Sequence, residues 1–230
     1  MWAGLGVAAA VTGLAAYAVR GRSSQLLGPS LWRGPRHRAE IALTFDDGPS
    51  PSTARLLEIL ARHGARATFF QCGLNVERHP GIACAVSAAG HQIGNHGYSH
   101  TRLWFRSPQF IYGELERAQR SISAVTGTVP TLFRAPYGVR WFGLARAQRR
   151  LNLLGVMWTV LGRDWKLPAD RILARLAAGA RNGAILCLHD GRELEMRPEI
   201  GETLRAVERL LPLLRDRGFR LVTVGDLLRP

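Results

Sequence analysis

The sequence predicts an α/β fold in which parallel strands and the helices between them form a barrel, with the functional residues at one end. From residue 41 onward, short apolar runs alternate with amphipathic runs of helical spacing, as is typical of repeated strand and helix units. Each group of polar residues that can do chemistry follows directly after a predicted strand. Because the carboxyl ends of parallel strands meet on one face of a barrel, we expect these groups to share a site.

The first predicted strand, residues 41–45, brings two carboxylates to that face. The run is apolar and partly β-branched, and Gly48 and Pro49 end it sharply, so Asp46 and Asp47 lie where the strand becomes a loop. Two adjacent carboxylates at an apolar site repel each other, so the pair indicates a nearby cation, a base or both. The alternative is an ordinary turn, since Asp-Gly and Gly-Pro are common turn formers.

The later elements follow from periodicity and from helix-capping and turn residues. The predicted helices cover residues 52–63, 79–89, 108–125, 142–150, 168–180 and 199–217. The predicted strands cover residues 67–70, 92–95, 131–134, 153–160, 184–188 and 219–224.

Length and composition favour one catalytic domain, which we place at residues 39–230. A chain of 230 residues with 47% hydrophobic content can bury a single substantial core. Cys72, Cys84 and Cys187 include no close pair, which argues against a disulfide framework and against a C-x-x-C metal site.

The N-terminal residues 1–20 are interpreted as a membrane-targeting segment, either an anchor or a cleaved signal peptide. Residues 2–19 are almost wholly apolar and are followed by Arg20 and Arg22, but the run is short for a membrane span. A buried core helix is the alternative. Residues 21–38, rich in Gly, Pro, Ser and Arg, are predicted to be a linker. We therefore expect a protein that is anchored to the membrane or exported to the cell envelope.

The charge balance is strongly basic, with a formal net charge of +14 that is nearly all arginine, Lys166 being the single lysine. Such a balance favours an anionic neighbour, such as a membrane surface or an acidic cell envelope. The arginines are scattered rather than interleaved with aromatic residues in one patch, which argues against nucleic acid as a partner. We expect a monomer.

Two histidines, His96 and His100, are four residues apart, so in a helical turn their rings would project from the same side. Together with Asp47 they make a set of two imidazoles and a carboxylate. Three protein ligands leave coordination positions for water and substrate, as expected of a hydrolytic metal site. Structural histidines are the alternative interpretation.

Five short motifs occur in order: Thr44-Phe-Asp-Asp-Gly-Pro49, His96-x-x-x-His100, Arg134-Ala-Pro-Tyr137, Asp164-Trp165 and Leu188-His-Asp190. Their order and spacing resemble the motifs of the NodB-homology polysaccharide deacetylases, carbohydrate esterase family 4, over about residues 39–228. The resemblance implies a distorted, irregular (β/α) barrel with its active site at the C-terminal strand ends. It also implies metal-dependent removal of acetyl groups from N-acetylated sugars.

The resemblance also assigns roles to individual residues. Asp47, His96 and His100 would hold one divalent metal ion, zinc in the first place, with cobalt or a similar ion as the alternative. Asp46 would be the general base, and Arg134 would orient it.

On the leaving-group side, His189 would be the general acid and Asp164 would orient it. The backbone N–H of Tyr137 would stabilise the oxyanion, and Trp165, Cys187 and Leu188 would line the substrate pocket.

The chain departs from the family pattern at two positions. Gly97 stands where the family usually has Ser or Thr, so a hydroxyl that would tether the loop is absent. Cys187 stands where an aliphatic residue commonly lines the acetyl pocket, which predicts a slightly roomier pocket. The aromatic residues Tyr98, Trp104 and Phe105 on the loop after the histidines would either stack on sugar rings or pack under the barrel rim.

The leading functional prediction is a hydrolase that removes acetyl groups from N-acetylglucosamine units of peptidoglycan or chitin-like oligomers. A second enzymatic alternative is a deacetylase or deformylase of a lipid-linked sugar. A third alternative, from another class, is a carbohydrate-binding protein that has lost catalysis.

Overall fold

A parallel sheet lies at the centre of the molecule. The computed structural model describes the backbone of residues 2–229 and the side chains of residues 11–229. The strands are β1 (Ser30–Leu31), β2 (Glu40–Asp46), β3 (Thr68–Gln71), β4 (Gln92–Asn95), β5 (Leu132–Phe133), β6 (Leu154–Val156), β7 (Val160–Leu161), β8 (Ala184–His189) and β9 (Arg220–Val222). They pair in parallel in the order β1-β6-β5-β4-β3-β2-β8-β7, and β9 pairs with β2. The predicted α/β class is confirmed.

The structure also contains helices, and those that follow β2 pack around the sheet. They are α1 (Trp2–Arg20), α2 (Thr53–Arg62), α3 (Gly73–Arg78), α4 (Pro80–Ala88), α5 (Pro108–Thr126), α6 (Leu144–Leu151), α7 (Ala169–Gly179), α8 (Gly201–Asp216) and α9 (Val224–Leu227), and a 3-10 turn covers Pro136–Gly138. The helices predicted after residue 50 lie within two residues of the observed bounds. The short helices α3 and α9 were not predicted, because six and four residues are too few to show a periodicity.

Strand β2 is held along both edges, and all seven of its residues are buried. Strand β8 pairs with residues 41–46 on one side, while β9 and β3 share the other side, at residues 40–42 and 44–46 respectively. Side chains alternate along a strand, so Leu43 and Phe45 enter the core under the helices. Thr44 and Asp46 face the opposite side, where the functional residues collect.

The segment predicted as one strand, residues 153–160, forms the two strands β6 and β7. Strand β6 pairs with β1 and β5, whereas β7 pairs with β8 at the other end of the strand order. The link between Val156 and Val160 spans at most about 14 Å. The two ends of the sheet are therefore brought close together, and the sheet curls into an irregular barrel.

The structure differs from the prediction that residues 21–38 form a linker. Strand β1 lies in this segment and pairs with β6, and Leu27 and Ser30 are buried. The guanidinium of Arg140 donates hydrogen bonds to the carbonyls of Gly21 and Ser24, which satisfies backbone groups of an irregular stretch. The segment is thereby attached to the barrel.

The targeting prediction for residues 1–20 falls largely outside the described residues, because Met1 and the side chains of residues 2–10 are not described. Among the residues that are described, no helix has both the length and the apolar character needed to cross a membrane.

Candidate active site

Asp47, His96 and His100 converge at the C-terminal end of the sheet. The Oδ1 atom of Asp47 lies 3.3 Å from Nε2 of His96 and 3.0 Å from Nε2 of His100, and all three side chains are buried. Burial by itself would raise the pKa of Asp47, but His100, with His96 and His189, holds that pKa well below its usual value.

The two histidines lie on a loop and not on the predicted helical turn. His96 follows β4 directly, and the loop then turns at Gly97 (φ 78°) so that His100 adopts a left-handed φ of 52°. A glycine at position 97 suits this backbone, because L side chains rarely adopt such a conformation. Ser99 fastens the loop instead, since its hydroxyl donates to Glu114 of α5 at 2.9 Å.

This set of donors fits a divalent metal ion. One carboxylate oxygen and two imidazole nitrogens lie within 4.8 Å of one another, and the Oδ1 atom of Asp47 has no hydrogen-bond partner although it is buried. The Nδ1 atom of His96 donates to the carbonyl of Arg134 at 2.7 Å, which leaves the Nε2 lone pair for a ligand. The donor types are those of catalytic zinc sites.

The carboxylate of Asp46 is paired with a fully buried arginine. The guanidinium of Arg134 donates to Oδ1 of Asp46 at 2.6 Å and to Oγ1 of Thr44 at 2.8 Å. It also donates to the carbonyls of Val156 and Met157, so the arginine is held from several directions. Arg134 thereby balances and orients Asp46, leaving Oδ2 free of that pair.

Cys187 lies beside this pair, and Leu188 does not line the pocket. The Sγ atom of Cys187 is 3.4 Å from Oδ2 of Asp46. Burial and the neighbouring Asp46 carboxylate raise the pKa of this thiol well above its usual value. Leu188 is fully buried in the core under the helices, because strand alternation points it away from Cys187 and His189. The prediction that Leu188 contacts substrate is therefore corrected.

Asp164 and His189 form a second carboxylate–imidazole pair. The Nδ1 atom of His189 lies 2.8 Å from Oδ1 of Asp164, whose Oδ2 accepts from the hydroxyl of Thr203 at 2.7 Å. Burial disfavours the imidazolium, but the charge and hydrogen bond of Asp164, with the charges of Asp47 and Asp46, raise the pKa of His189 to about 9. The ring therefore carries a proton at neutral pH.

A cavity of about 550 Å³ joins these groups, and its wall includes the predicted residues Tyr137 and Trp165. Tyr137 adopts a left-handed φ of 58°, and its ring packs on His100 at a centroid distance of 4.6 Å. The Trp165 ring meets His189 edge-on at 5.1 Å and is 48% exposed. Arg134 and Asp164 do not line the cavity. They lie behind it, hydrogen-bonded to Asp46 and His189.

Sequence reasoning missed other residues of the cavity wall, namely Arg20, Arg102, Gly138, Trp158, Leu161, Arg192, Glu193 and Glu195. Trp158 lies near the C-terminal end of the predicted strand 153–160, and this position is a signal that could have identified it. The contribution of Arg20 is not visible in the sequence, because it depends on how the end of α1 packs against the barrel.

The sequence pattern did not reveal the role of Asn75, and the loop aromatics divide between the two alternatives that the sequence left open. Asn75 in α3 donates to the carbonyls of Asp47 and Glu193, and so supports the loop that carries Asp47. Tyr98 is buried and hydrogen-bonded to Glu77, whereas Phe105 is 79% exposed near the rim.

A model of the polysaccharide deacetylase family matches residues 33–156. The chain belongs to the polysaccharide deacetylase family. Its NodB-type domain carries the parallel, curled sheet and the site described above. The expected distorted (β/α) barrel is confirmed by the likeness of this chain to solved structures of the family.

The polysaccharide deacetylase relatives include enzymes named for two glycans. A chitooligosaccharide deacetylase of Bradyrhizobium is 36% identical over 190 residues, covering 79% of this chain and 87% of that protein. The peptidoglycan-N-acetylglucosamine deacetylase PgdA of Listeria monocytogenes is 35% identical over 189 residues, covering 81% of this chain. The matched region is 38% of the length of that Listeria protein.

Among solved polysaccharide deacetylase structures, the Bc1960 peptidoglycan N-acetylglucosamine deacetylase superposes with a TM-score of 0.80. It is 30% identical in sequence, and the superposition covers 86% of this chain and 91% of that one.

Proposed function

We propose that this chain is a metal-dependent hydrolase that removes N-acetyl groups from N-acetylglucosamine-containing glycans of the cell envelope. The observation that carries this proposal is the joint placement of Asp46 and His189 beside the Asp47, His96 and His100 set. A base and an acid at one three-ligand site are what amide hydrolysis requires. Binding alone would need neither of the two buried pairs, which argues against a carbohydrate-binding protein without catalysis.

Asp47, His96 and His100 are assigned as the ligands of a divalent ion, zinc or cobalt, which when bound polarises the acetyl carbonyl and acidifies a water molecule. Asp46 is assigned as the general base. Its Oδ2 accepts the proton of the attacking water, because Oδ1 is occupied by the guanidinium of Arg134. Arg134, which is fully buried, keeps that carboxylate oriented and balances its charge.

His189 is assigned as the general acid. The hydrogen bond of Nδ1 to Asp164 leaves Nε2 to deliver a proton to the leaving amine as the C–N bond breaks. The pKa of about 9 means that the proton is present at neutral pH. Asp164 stabilises the imidazolium form of His189 until its proton is transferred, and it fixes the orientation of the His189 ring.

The substrate is held by the walls of the cavity. The apolar side chains of Trp158, Leu161 and Trp165 line the cavity and are assigned to hold the acetyl methyl group. The backbone N–H of Tyr137 is assigned to the oxyanion, and its left-handed backbone is a form of strain that often occurs at functional sites. Cys187 borders the same space beside Asp46.

The experiment measures the acid released from a panel of substrates: acetate from peptidoglycan, chitin oligomers and an acetylated glycolipid, and formate from a formylated glycolipid. Release from the first two is expected, and release from the glycolipid alone would favour the lipid-linked alternative. Asp46→Asn should abolish release while keeping the metal content of the wild type. The exposed Asp216 supplies the matched control, Asp216→Asn, which should keep both. Undiminished acetate release by Asp46→Asn would show that Asp46 is not the general base.

We further propose that the chain works at the cell envelope. The support is the location of the glycans for which the relatives are named, and the anionic surroundings that a net charge of +14 favours. Fractionation of cells expressing the chain with and without residues 1–20 is the test. Recovery of the full chain in the cytoplasmic fraction would contradict the proposal.

A further inference from the structure

A second group of metal-ligand types lies next to the first. The carboxylate of Asp46, the thiol of Cys187 and the imidazole of His189 offer donor atoms that all lie within 4.8 Å of one another. The mechanism above uses Asp46 and His189 but gives the sulfur of Cys187 no chemical task. Carboxylate, thiolate and imidazole are together a donor set that binds zinc and other thiophilic divalent ions.

Regular secondary structure sets the geometry of this group. Asp46 ends β2 and is paired in register with His189, the last residue of β8. Cys187 is two residues before His189 on the same strand, so both side chains lie on the same face of the sheet. The three donors are therefore positioned by adjacent, hydrogen-bonded strands rather than by mobile loops.

The remaining polar atoms of two of these side chains are already held by partners. Arg134 occupies Oδ1 of Asp46, and Asp164 occupies Nδ1 of His189. The atoms left for a ligand are Oδ2 and Nε2, and Oδ2 is the oxygen that faces the sulfur of Cys187. A carboxylate behind a histidine is the usual outer support of a metal-binding imidazole.

The charges around the group also allow a divalent ion. Arg134 lies 3.5 Å from the sulfur and would repel a cation by itself. The carboxylates of Asp46 and Asp164 and a thiolate at Cys187 carry three formal negative charges, which balance the arginine and a divalent ion. A buried ion is tolerated when its charge is compensated in this way.

We propose that Asp46, Cys187 and His189 form a second site for a thiophilic divalent cation, Zn²⁺ or Cd²⁺, whose occupation inhibits the enzyme. On binding, the S–H bond of Cys187 breaks, its proton leaves to solvent, and a sulfur–metal bond forms. Any proton on Nε2 of His189 leaves in the same way. The site rests on geometry alone, whereas the inhibition also rests on the proposed roles of Asp46 and His189.

Cobalt titration of the metal-free protein tests the site without using activity. Cobalt bound by a thiolate gives an intense charge-transfer band in the near ultraviolet, and the Asp47, His96 and His100 set contains no sulfur. The band is expected in the wild type and is expected to be lost in Cys187→Val, with one equivalent of cobalt still bound. Cys84→Ser, which removes an exposed thiol, should keep the band.

Cys72 is also buried, so Cys72→Ala serves as the second control and should keep the band. Circular dichroism of each variant separates loss of the site from loss of the fold, and Cys187→Ser provides a less apolar replacement if Cys187→Val does not fold. Absence of the band in the wild type, or its survival in the Cys187 variants, would overturn the proposed site.

Inhibition is measured separately as the zinc concentration that halves acetate release, relative to each protein's own rate at low zinc. For Cys187→Val, the zinc concentration that halves acetate release should rise at least about tenfold, because one ligand of the inhibitory site is gone. A cobalt–thiolate band without any inhibition by zinc would still support the second site. That result would overturn the inhibition and the roles assigned to Asp46 and His189.

Discussion

Replacing Asp164 by asparagine is expected to move the alkaline limit of activity down by about 2.5 pH units. Burial lowers the pKa of His189, and the carboxylate of Asp164 is the largest influence that raises it, to about 9 from an ordinary 6.5. The amide keeps the size of the side chain and can still accept the hydrogen bond of Thr203. Without the negative charge, the pKa of His189 is expected to fall to 6.5 or below.

The size of the effect on rate follows from the fraction of His189 that holds a proton. At pH 8, a pKa near 9 leaves the ring mostly protonated, whereas a pKa of 6.5 leaves about 3% protonated, so kcat should fall about 30-fold. At pH 6 both proteins are largely protonated and the ratio should be below about twofold. Asp47 and the ion that it would hold act on His189 in the same way in both proteins, so the difference between the proteins isolates Asp164.

The assay is acetate release from chitin oligomers between pH 5 and pH 10, with metal content measured at each pH. Thr203→Val is the matched control, because it removes a hydrogen bond to Asp164 without removing its charge, and its profile should move far less. If Asp164→Asn keeps the wild-type alkaline limit, either His189 is not the acid or Asp164 does not set its pKa.

The same raised pKa links folding to pH in the metal-free protein. Because folding raises the pKa of His189 from 6.5 to about 9, its contribution to the unfolding free energy is complete below pH 6.5 and is lost as pH rises through about 9. The contribution is at most about 3 kcal/mol. Urea unfolding at pH 6.5 and pH 9 should show it, and Asp164→Asn should remove most of it.

Three further predictions concern packing and substrate binding. Arg134→Met should lower the unfolding free energy in urea by about 3–5 kcal/mol, because it leaves a buried carboxylate unpaired; a change below about 1 kcal/mol would contradict this. Gly48→Ala should destabilise by about 1–3 kcal/mol, since its Cβ would lie 2.1 Å from a carboxylate oxygen of Asp190. Gly113→Ala, whose Cβ meets nothing within 4 Å, should be neutral or stabilise α5 slightly. Trp165→Ala should raise KM more than it lowers kcat for chitin oligomers. An unchanged KM would show that Trp165 does not contact the substrate.

The strand ends were the part of the fold and site that the sequence predicted best. Apolar strands followed by polar groups placed Asp46, Asp47, His96 and His189 at one end of the sheet, because parallel strands leave little freedom there. The pattern of motifs also identified Arg134 and Asp164, which lie behind the cavity and which the spacing of polar residues alone would not have identified.

The errors concern features that depend on tertiary packing. The spacing of His96 and His100 is the same on a helix and on this loop, so it could not distinguish them. Leu188 belongs to a predicted strand, but which face it occupies depends on register against β2. Residues 21–38 have the composition of a linker, yet Arg140 and β6 hold them against the barrel.

Pairing along both edges restricts the motion of strand β2. Backbone amides in residues 41–46 can reach solvent only when neighbouring strands separate, so they should exchange with deuterium at the rate of global unfolding. Asp46 at its end is then fixed before any glycan arrives. Adjustment to different sugar chains would fall to exposed side chains outside the sheet, such as Phe105.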